Sequence, residues 1–168
     1  EGDEDIYLLT EEGKVDTRLT KSWGVDVSPT FSPDGGQMAF VSNRSGSPQI
    51  YVLDRGDQNV RRLTFEGEYN TQPDWCPAEN RIVYSGMQNG QIDIYVIDAD
   101  GGDPTRLTHE AGDSEAPSWS PDGSLIVFSS KRKGSARLYV MTASGTDQRM
   151  LLESPGSQTM PDWSPPIG

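Results

Sequence analysis

The chain of 168 residues has little cysteine, little histidine and a shortage of positive charge. Its single cysteine, Cys76, excludes an internal disulfide and a cysteine-based metal cluster. Only 14 lysines and arginines stand against 26 aspartates and glutamates, so the formal net charge is −12. Because an anionic surface repels phosphate backbones, nucleic acid and anionic membranes are poor partners. A basic protein or a cation is the better expectation.

Long apolar runs are also missing. The chain has no stretch of 18 apolar residues, which excludes a spanning helix and predicts no direct membrane insertion. Its start shows no signal-peptide pattern and begins with Glu1 rather than methionine, so we expect a processed protein or a piece of a longer one. Only 33% of the residues are apolar, whereas 18 glycines and 12 prolines are present. This composition is typical of many short strands joined by tight turns.

One motif recurs four times along the chain: a proline, any residue, an aromatic residue, and then Ser-Pro or Cys-Pro. The copies begin 44 residues apart, at Pro29, Pro73, Pro117 and Pro161. Two further sets keep the same interval: Tyr7, Tyr51, Tyr95 and Tyr139, and Leu19, Leu63, Leu107 and Leu151. A fixed period near this length is typical of repeat architectures and suits a four-stranded propeller blade.

Each repeat contains four strand-like runs with two different burial patterns. The second and third runs are continuously apolar, which predicts that both of their faces are covered, whereas the fourth alternates charge with leucine and has one face in water. Blades packed between neighbours satisfy both patterns. The sequence therefore predicts an all-β fold, a β-propeller built of four-stranded antiparallel blades. Within a single propeller segment, 1–168, we assign complete blades to 29–64, 73–108 and 117–152, strands three and four of a split blade to 5–20, and the first strand of the closing blade to 161–168.

The split blade has no second strand in this sequence. Either the ring closes with a defective blade, or residues upstream of Glu1 have been removed. Removal is favoured, because an open blade edge leaves backbone groups unpaired. The same incomplete edges would allow two copies of the chain to associate.

The repeat has a family resemblance. The motif Pro117–Gly123, read with the Ile-Tyr-Val of strand three and the Arg-Leu-Thr of strand four, resembles the propeller repeat of TolB and its relatives from Asp5 to Pro165. The resemblance implies a six-bladed ring that follows an α/β domain. It also implies a periplasmic location and a protein partner, the peptidoglycan-associated lipoprotein Pal, bound at one mouth of the propeller.

The resemblance further implies that partner contacts come from the loops that lead into the innermost strands, here 24–28, 68–72, 112–116 and 156–160. The candidate residues lie four and two positions before each motif proline: Val25, Val27, Tyr69, Thr71, Asp113, Glu115, Ser157 and Thr159. They vary between copies while the scaffold repeats, as a binding face requires, although tolerant surface loops would vary too. Trp23 lies outside the repeat frame and is predicted to be an exposed aromatic anchor.

No catalytic or cofactor site is predicted. His109 is the only histidine, and no Gly-x-Ser-x-Gly elbow presents a serine nucleophile. The acidic turn 98–103 fails the spacing of a calcium-binding EF-hand loop and is interpreted as turn chemistry, so no metal is expected. The motif tryptophans are expected to pack between blades, and the basic run 131–133 is interpreted as a solvated hairpin tip.

The leading hypothesis is therefore a non-enzymatic module that binds a protein. Two alternatives stay open. One is the gating propeller of a prolyl-oligopeptidase-like or tricorn-like serine peptidase, whose catalytic domain would lie outside this sequence. The other is a structural propeller of an envelope protein, with no partner at its mouth.

Overall fold

The computed structural model describes residues 4–164. Its secondary structure consists of strands, and within this range no helix is long and apolar enough to cross a membrane. The strands are β1 (Tyr7–Leu9), β2 (Val15–Arg18), β3 (Asp26–Phe31), β4 (Gln37–Ser42), β5 (Gln49–Asp54), β6 (Val60–Arg62), β7 (Tyr69–Trp75), β8 (Arg81–Gln88), β9 (Gln91–Asp98), β10 (Thr105–Arg106), β11 (Ser114–Trp119), β12 (Leu125–Ser130), β13 (Arg137–Thr142) and β14 (Arg149–Met150).

These strands form one two-stranded and three four-stranded antiparallel sheets, in which neighbours in sequence are neighbours in space. We call β1–β2 blade 1, β3–β6 blade 2, β7–β10 blade 3 and β11–β14 blade 4. The same up-and-down order thus returns at each repeat, which confirms the predicted all-β fold of four-stranded propeller blades. The predicted total of six blades stays a prediction.

Apolar side chains of the middle strands fill the space between the blades. Trp75 is only 4% exposed and packs with Ala39 and Val52 of blade 2 as well as with Ile82 of its own blade. Trp119 lies in the equivalent cluster between blades 3 and 4. The regular tryptophan spacing therefore reports blade-to-blade packing, as the sequence predicts.

The Arg-Leu-Thr motif fastens the end of the outer strand to the third strand. In blade 3, the Arg106 Nε donates to the carbonyl of Thr108 at 2.8 Å. The Thr108 hydroxyl accepts the Ile94 amide at 3.0 Å and donates to Asp93 Oδ1 at 2.7 Å. Thr20 and Thr64 accept the corresponding amides in blades 1 and 2. The fourth copy has leucine at this position, Leu152, and therefore has no such hydroxyl.

The leucine of the same motif shows where one blade covers the next. Leu107 is 4% exposed because it packs in the cluster between blades 3 and 4, whereas Leu151 of blade 4 is 46% exposed. Residues 161–164 form no strand, although the Trp163 indole N–H donates to the Ser118 carbonyl of blade 4 at 3.1 Å. The rest of the predicted closing strand, 165–168, lies outside the described residues.

Candidate functional site

Each first strand is bent by a β-bulge at the motif proline. The pairing register shifts between Val27 and Thr30, between Thr71 and Asp74, and between Glu115 and Ser118. The residue before each proline has a positive φ: Ser28 at 54°, Gln72 at 53°, Ala116 at 53° and Met160 at 52°. Because this left-handed conformation costs a non-glycine residue about 1–2 kcal/mol, tertiary contacts must hold it. Such bulges turn the strand and redirect its side chains.

The bulges correct the expectation that the candidate residues lie in loops. That prediction is wrong for four of them, because the strands begin before the prolines and continue through them: Val27 lies in β3, Tyr69 and Thr71 in β7, and Glu115 in β11. A proline is tolerated inside a strand at a bulge, where its missing N–H breaks no regular pairing. Val25 and Asp113 each lie directly before a strand.

We call the end of the blades at which the first strands begin the mouth. Because the strands alternate in direction, the hairpins between second and third strands lie at this same end. We call the residues at the start of the first strands, together with the hairpin residues that face them, the rim of the mouth. The Asn43 amide donates to the Val25 carbonyl at 3.3 Å, and the Lys131 amide donates to the Asp113 carbonyl at 2.8 Å. Tyr69 is paired with Met87 in the same way. The rim therefore carries two variable positions per blade.

Charged groups gather at the mouth between blades 3 and 4. The Lys131 Nζ lies 3.3 Å from Glu115 Oε1 and 3.4 Å from Asp113 Oδ2. The Glu115 carboxylate raises the pKa of Lys131, so the amine stays protonated. Burial, together with the carboxylates of Glu115 and Asp113, raises the pKa of the Tyr69 phenol. We call Tyr69, Asp113, Glu115 and Lys131 the mouth cluster.

Strand β7 carries part of this cluster and is tied to both neighbouring blades. The Asn70 Nδ2 donates to Gln49 Oε1 of blade 2 at 2.8 Å. The Gln72 Oε1 accepts the Ala116 amide of blade 4 at 3.0 Å, which also helps to hold the positive φ at Ala116. Tyr69 and Thr71 alternate with these two anchors along the strand. The rim is thus ordered by hydrogen bonds before any partner arrives.

The remaining candidates lie apart from the cluster. Trp23 is 87% exposed on the loop that enters β3, as predicted for it. The Val25 amide donates to Asn43 Oδ1 at 2.9 Å, and Val27 is half-buried. Ser157 and Thr159 are exposed and make no hydrogen bond or ion pair with the mouth cluster in the described part of the chain. The structure therefore brings together Tyr69, Asp113 and Glu115 out of the predicted set.

Lys131 is the residue that sequence reasoning missed. The interpretation of residues 131–133 as a solvated hairpin tip is wrong for Arg132, which is half-buried. Its guanidinium lies 4.5 Å above the ring of Tyr139. Lys131 and Lys133 are both exposed, but Lys131 also pairs with carboxylates at the mouth. A signal was present, because Lys131 occupies the position of the 44-residue repeat held by Asn43 and Met87.

The groups that would serve catalysis or metal binding are dispersed. His109 is exposed on the loop after β10, and Cys76 is a buried free thiol. Between residues 4 and 164, no group of three or more His, Cys, Asp or Glu side chains is arranged to hold a metal ion. What the mouth offers is a preordered set of hydrogen-bonding, charged and aromatic groups, the chemistry of a docking surface.

Comparison with known proteins agrees with this architecture. A family model described as the TolB beta propeller domain matches residues 1–167. The "Protein TolB homolog" of Chlorobium luteolum is 56% identical over 50 residues, which are 30% of this chain and 12% of that protein. The "Tol-Pal system protein TolB" of Helicobacter pylori is 46% identical over 50 residues, again 30% and 12%.

A solved structure extends the likeness to nearly the whole chain. TolB from Acinetobacter baumannii superposes with a TM-score of 0.83 at 30% sequence identity, over 96% of this chain and 41% of that one. The chain thus spans less than half of that protein, and its alignments reach only 12% of the curated relatives. Because the family model covers the chain from residue 1 to residue 167, the chain belongs to the TolB beta propeller domain family.

Proposed function

We propose that this propeller is a non-enzymatic binding module that docks a partner protein at its mouth, as a TolB-like component of a Tol-Pal system in the periplasm. A Pal-type lipoprotein is the proposed partner. One observation carries the proposal: the mouth changes its chemistry from blade to blade on an unchanging scaffold. The three equivalent rim positions hold Val25, Tyr69 and Asp113, and the hairpin residues facing them are Asn43, Met87 and Lys131.

The rigidity of the rim supports the same function. Association costs free energy when loops and side chains must be ordered on binding. Here the candidate residues from Val25 to Glu115 lie on or directly before paired strands, and Asn70 and Gln72 fix β7 to both neighbours. Little order has to be gained when a partner docks, so more of the contact energy appears as affinity.

Trp23 supplies a second element of such a surface. Its side chain is 87% exposed on a loop that enters the mouth, and the equivalent positions of the other repeats hold Gly67, Ala111 and Pro155. Tryptophan is enriched among the residues that dominate interface energies, because it buries a large area with few rotatable bonds. Because only one repeat has a tryptophan at this position, the side chain suits a partner that approaches from one direction.

The test is a titration with a soluble Pal-type lipoprotein that lacks its lipid. Glu115→Arg places a second cation beside Lys131, and Thr71→Arg adds bulk and charge to β7. We expect each to weaken binding at least tenfold, which corresponds to about 1.4 kcal/mol. Glu12→Arg makes the same charge change in the exposed turn between β1 and β2, at the opposite end of the strands, and should leave affinity unchanged. Unaltered affinity in both mouth variants would remove the mouth from the interface.

A further inference from the structure

The hairpin between β12 and β13 is the most cationic stretch of this acidic chain. Residues 131–137 include Lys131, Arg132, Lys133 and Arg137 and no carboxylate, while the chain as a whole carries a charge of −12. The mouth cluster accounts for Lys131, and Lys133 is exposed. Arg132 is neither paired with a carboxylate nor fully solvated, and it has an equivalent in blade 2 with which it can be compared.

That equivalent, Arg44, shows the complete arrangement. Its Nη2 lies 2.8 Å from Asp26 Oδ2, and its Nε donates to the Ser42 hydroxyl at 2.8 Å. Its guanidinium carbon lies 4.9 Å from the centre of the Tyr51 ring. The arginine is thus held by a serine and an aromatic face, and its charge is neutralised by one buried carboxylate.

Arg132 repeats this arrangement without the carboxylate. Its Nε donates to the Ser130 hydroxyl at 3.0 Å, and its guanidinium carbon lies 4.5 Å from the centre of the Tyr139 ring. The position of Asp26 is taken by Ser114, whose hydroxyl donates to Ser130 at 3.0 Å. Arg132 Nη2 is consequently buried with no hydrogen-bond partner among residues 4–164. Tyr139 is 4% exposed, and its hydroxyl is also buried without a partner in this range.

Two buried groups that can donate, one of them positively charged, are the complement of an anion. A buried donor without an acceptor is costly, and more so when it belongs to a charged group. We propose that Arg132 and Tyr139 form a binding site for one monovalent anion, a halide or a small carboxylate, which takes the place that the Asp26 carboxylate holds in blade 2. Lys133 and Arg137 lie on the same hairpin and add positive charge to it despite the negative charge of the whole chain.

The test compares the melting temperature of the full chain in sodium chloride and in sodium formate, with ionic strength held constant by sodium methanesulfonate, whose anion is neither a halide nor a carboxylate. Each tenfold rise in the binding anion above its Kd should raise the melting temperature of the wild type by roughly 3–5 °C. Ser114→Asp supplies an internal carboxylate, so its melting temperature should start higher and respond to neither anion. Ser114→Ala changes the same residue without adding charge and should keep the response.

The two salts distinguish the sources of the anion: a response to chloride alone indicates a halide site, and a response to formate indicates a carboxylate site. If Ser114→Asp does not fold, Arg132→Gln serves instead. It should abolish the broadening of the chloride NMR line that the wild-type protein causes, or the response of the wild type to formate. A wild type that responds to neither salt, or a response that either Ser114→Asp or Arg132→Gln retains, would overturn the proposal.

Discussion

One buried hydroxyl, that of Thr64, supports the hydrogen bonds that join blades 2 and 3. It accepts the Ile50 amide at 2.9 Å and donates to Gln49 Oε1 at 2.8 Å. The same Gln49 oxygen accepts Asn70 Nδ2 of the next blade at 2.8 Å. Since Asn70 lies between Tyr69 and Thr71, this chain of bonds also positions the mouth. Thr64→Val keeps the shape of the side chain and removes the hydroxyl.

The expected loss follows from the groups left without partners. Ile50 is 0% exposed, so without the Thr64 hydroxyl its backbone amide would be buried with no acceptor, which costs about 1–3 kcal/mol. Gln49 would keep Asn70 but lose one donor, which costs about 1 kcal/mol. The sum, about 2–4 kcal/mol, corresponds to a fall of about 1–2 M in the urea midpoint.

Urea unfolding followed by tryptophan fluorescence measures this shift. The matched control is Thr17→Val, which makes the same change on an exposed strand where the hydroxyl bonds only to the adjacent Asp16. Its free energy of unfolding should stay within about 0.5 kcal/mol of the wild type. If Thr64→Val shifts the midpoint no further than Thr17→Val does, the hydroxyl does not hold the joint, and the account of blade fastening is wrong.

Two further substitutions test the packing and the electrostatics between blades. Gly123→Ala would place a Cβ 2.8 Å from that of Ala78 at a φ of +70°, so we expect a loss of about 2–4 kcal/mol by urea unfolding. Gly134→Ala, with φ +93° and nothing within 4 Å, should cost only about 1–2 kcal/mol, and equal losses would contradict the close packing. Burial raises the pKa of Asp74 above its ordinary 3.8, so ionisation destabilises the fold increasingly as pH rises through the raised value. Asp74→Asn can still accept the Trp119 amide, and its stability relative to wild type should increase between pH 4 and pH 7; a difference that is constant or falls with pH would refute this.

The fold could be predicted from spacing because the packing repeats. Trp75 and Trp119 occupy equivalent clusters, and the strand pattern around them recurs at the same interval. The boundaries of the first strands could not be predicted in this way. A proline normally ends a strand, and the bulge that accommodates Pro73 needs a positive φ at Gln72, a residue type that gives no local signal for it.

The site was predictable only in part, for a similar reason. Tyr69, Asp113 and Glu115 were predicted from the family resemblance together with their variation on a repeated frame. Lys131 reaches them across the strand pairing of blade 4, and neighbours across a sheet are read from register rather than from sequence distance. The two environments of Arg44 and Arg132 differ by a single residue, and only the coordinates show that one guanidinium is paired and the other is not.

Hydrogen exchange of the chain with and without a soluble Pal-type lipoprotein tests the central claim most directly. Docking at the mouth predicts slower exchange in residues 65–71 and 110–116, the segments that carry Tyr69, Asp113 and Glu115. Exchange in the turns at the opposite end, such as 10–14 and 98–104, should not change. Protection confined to those opposite turns, or binding without any protection at the mouth, would contradict the account.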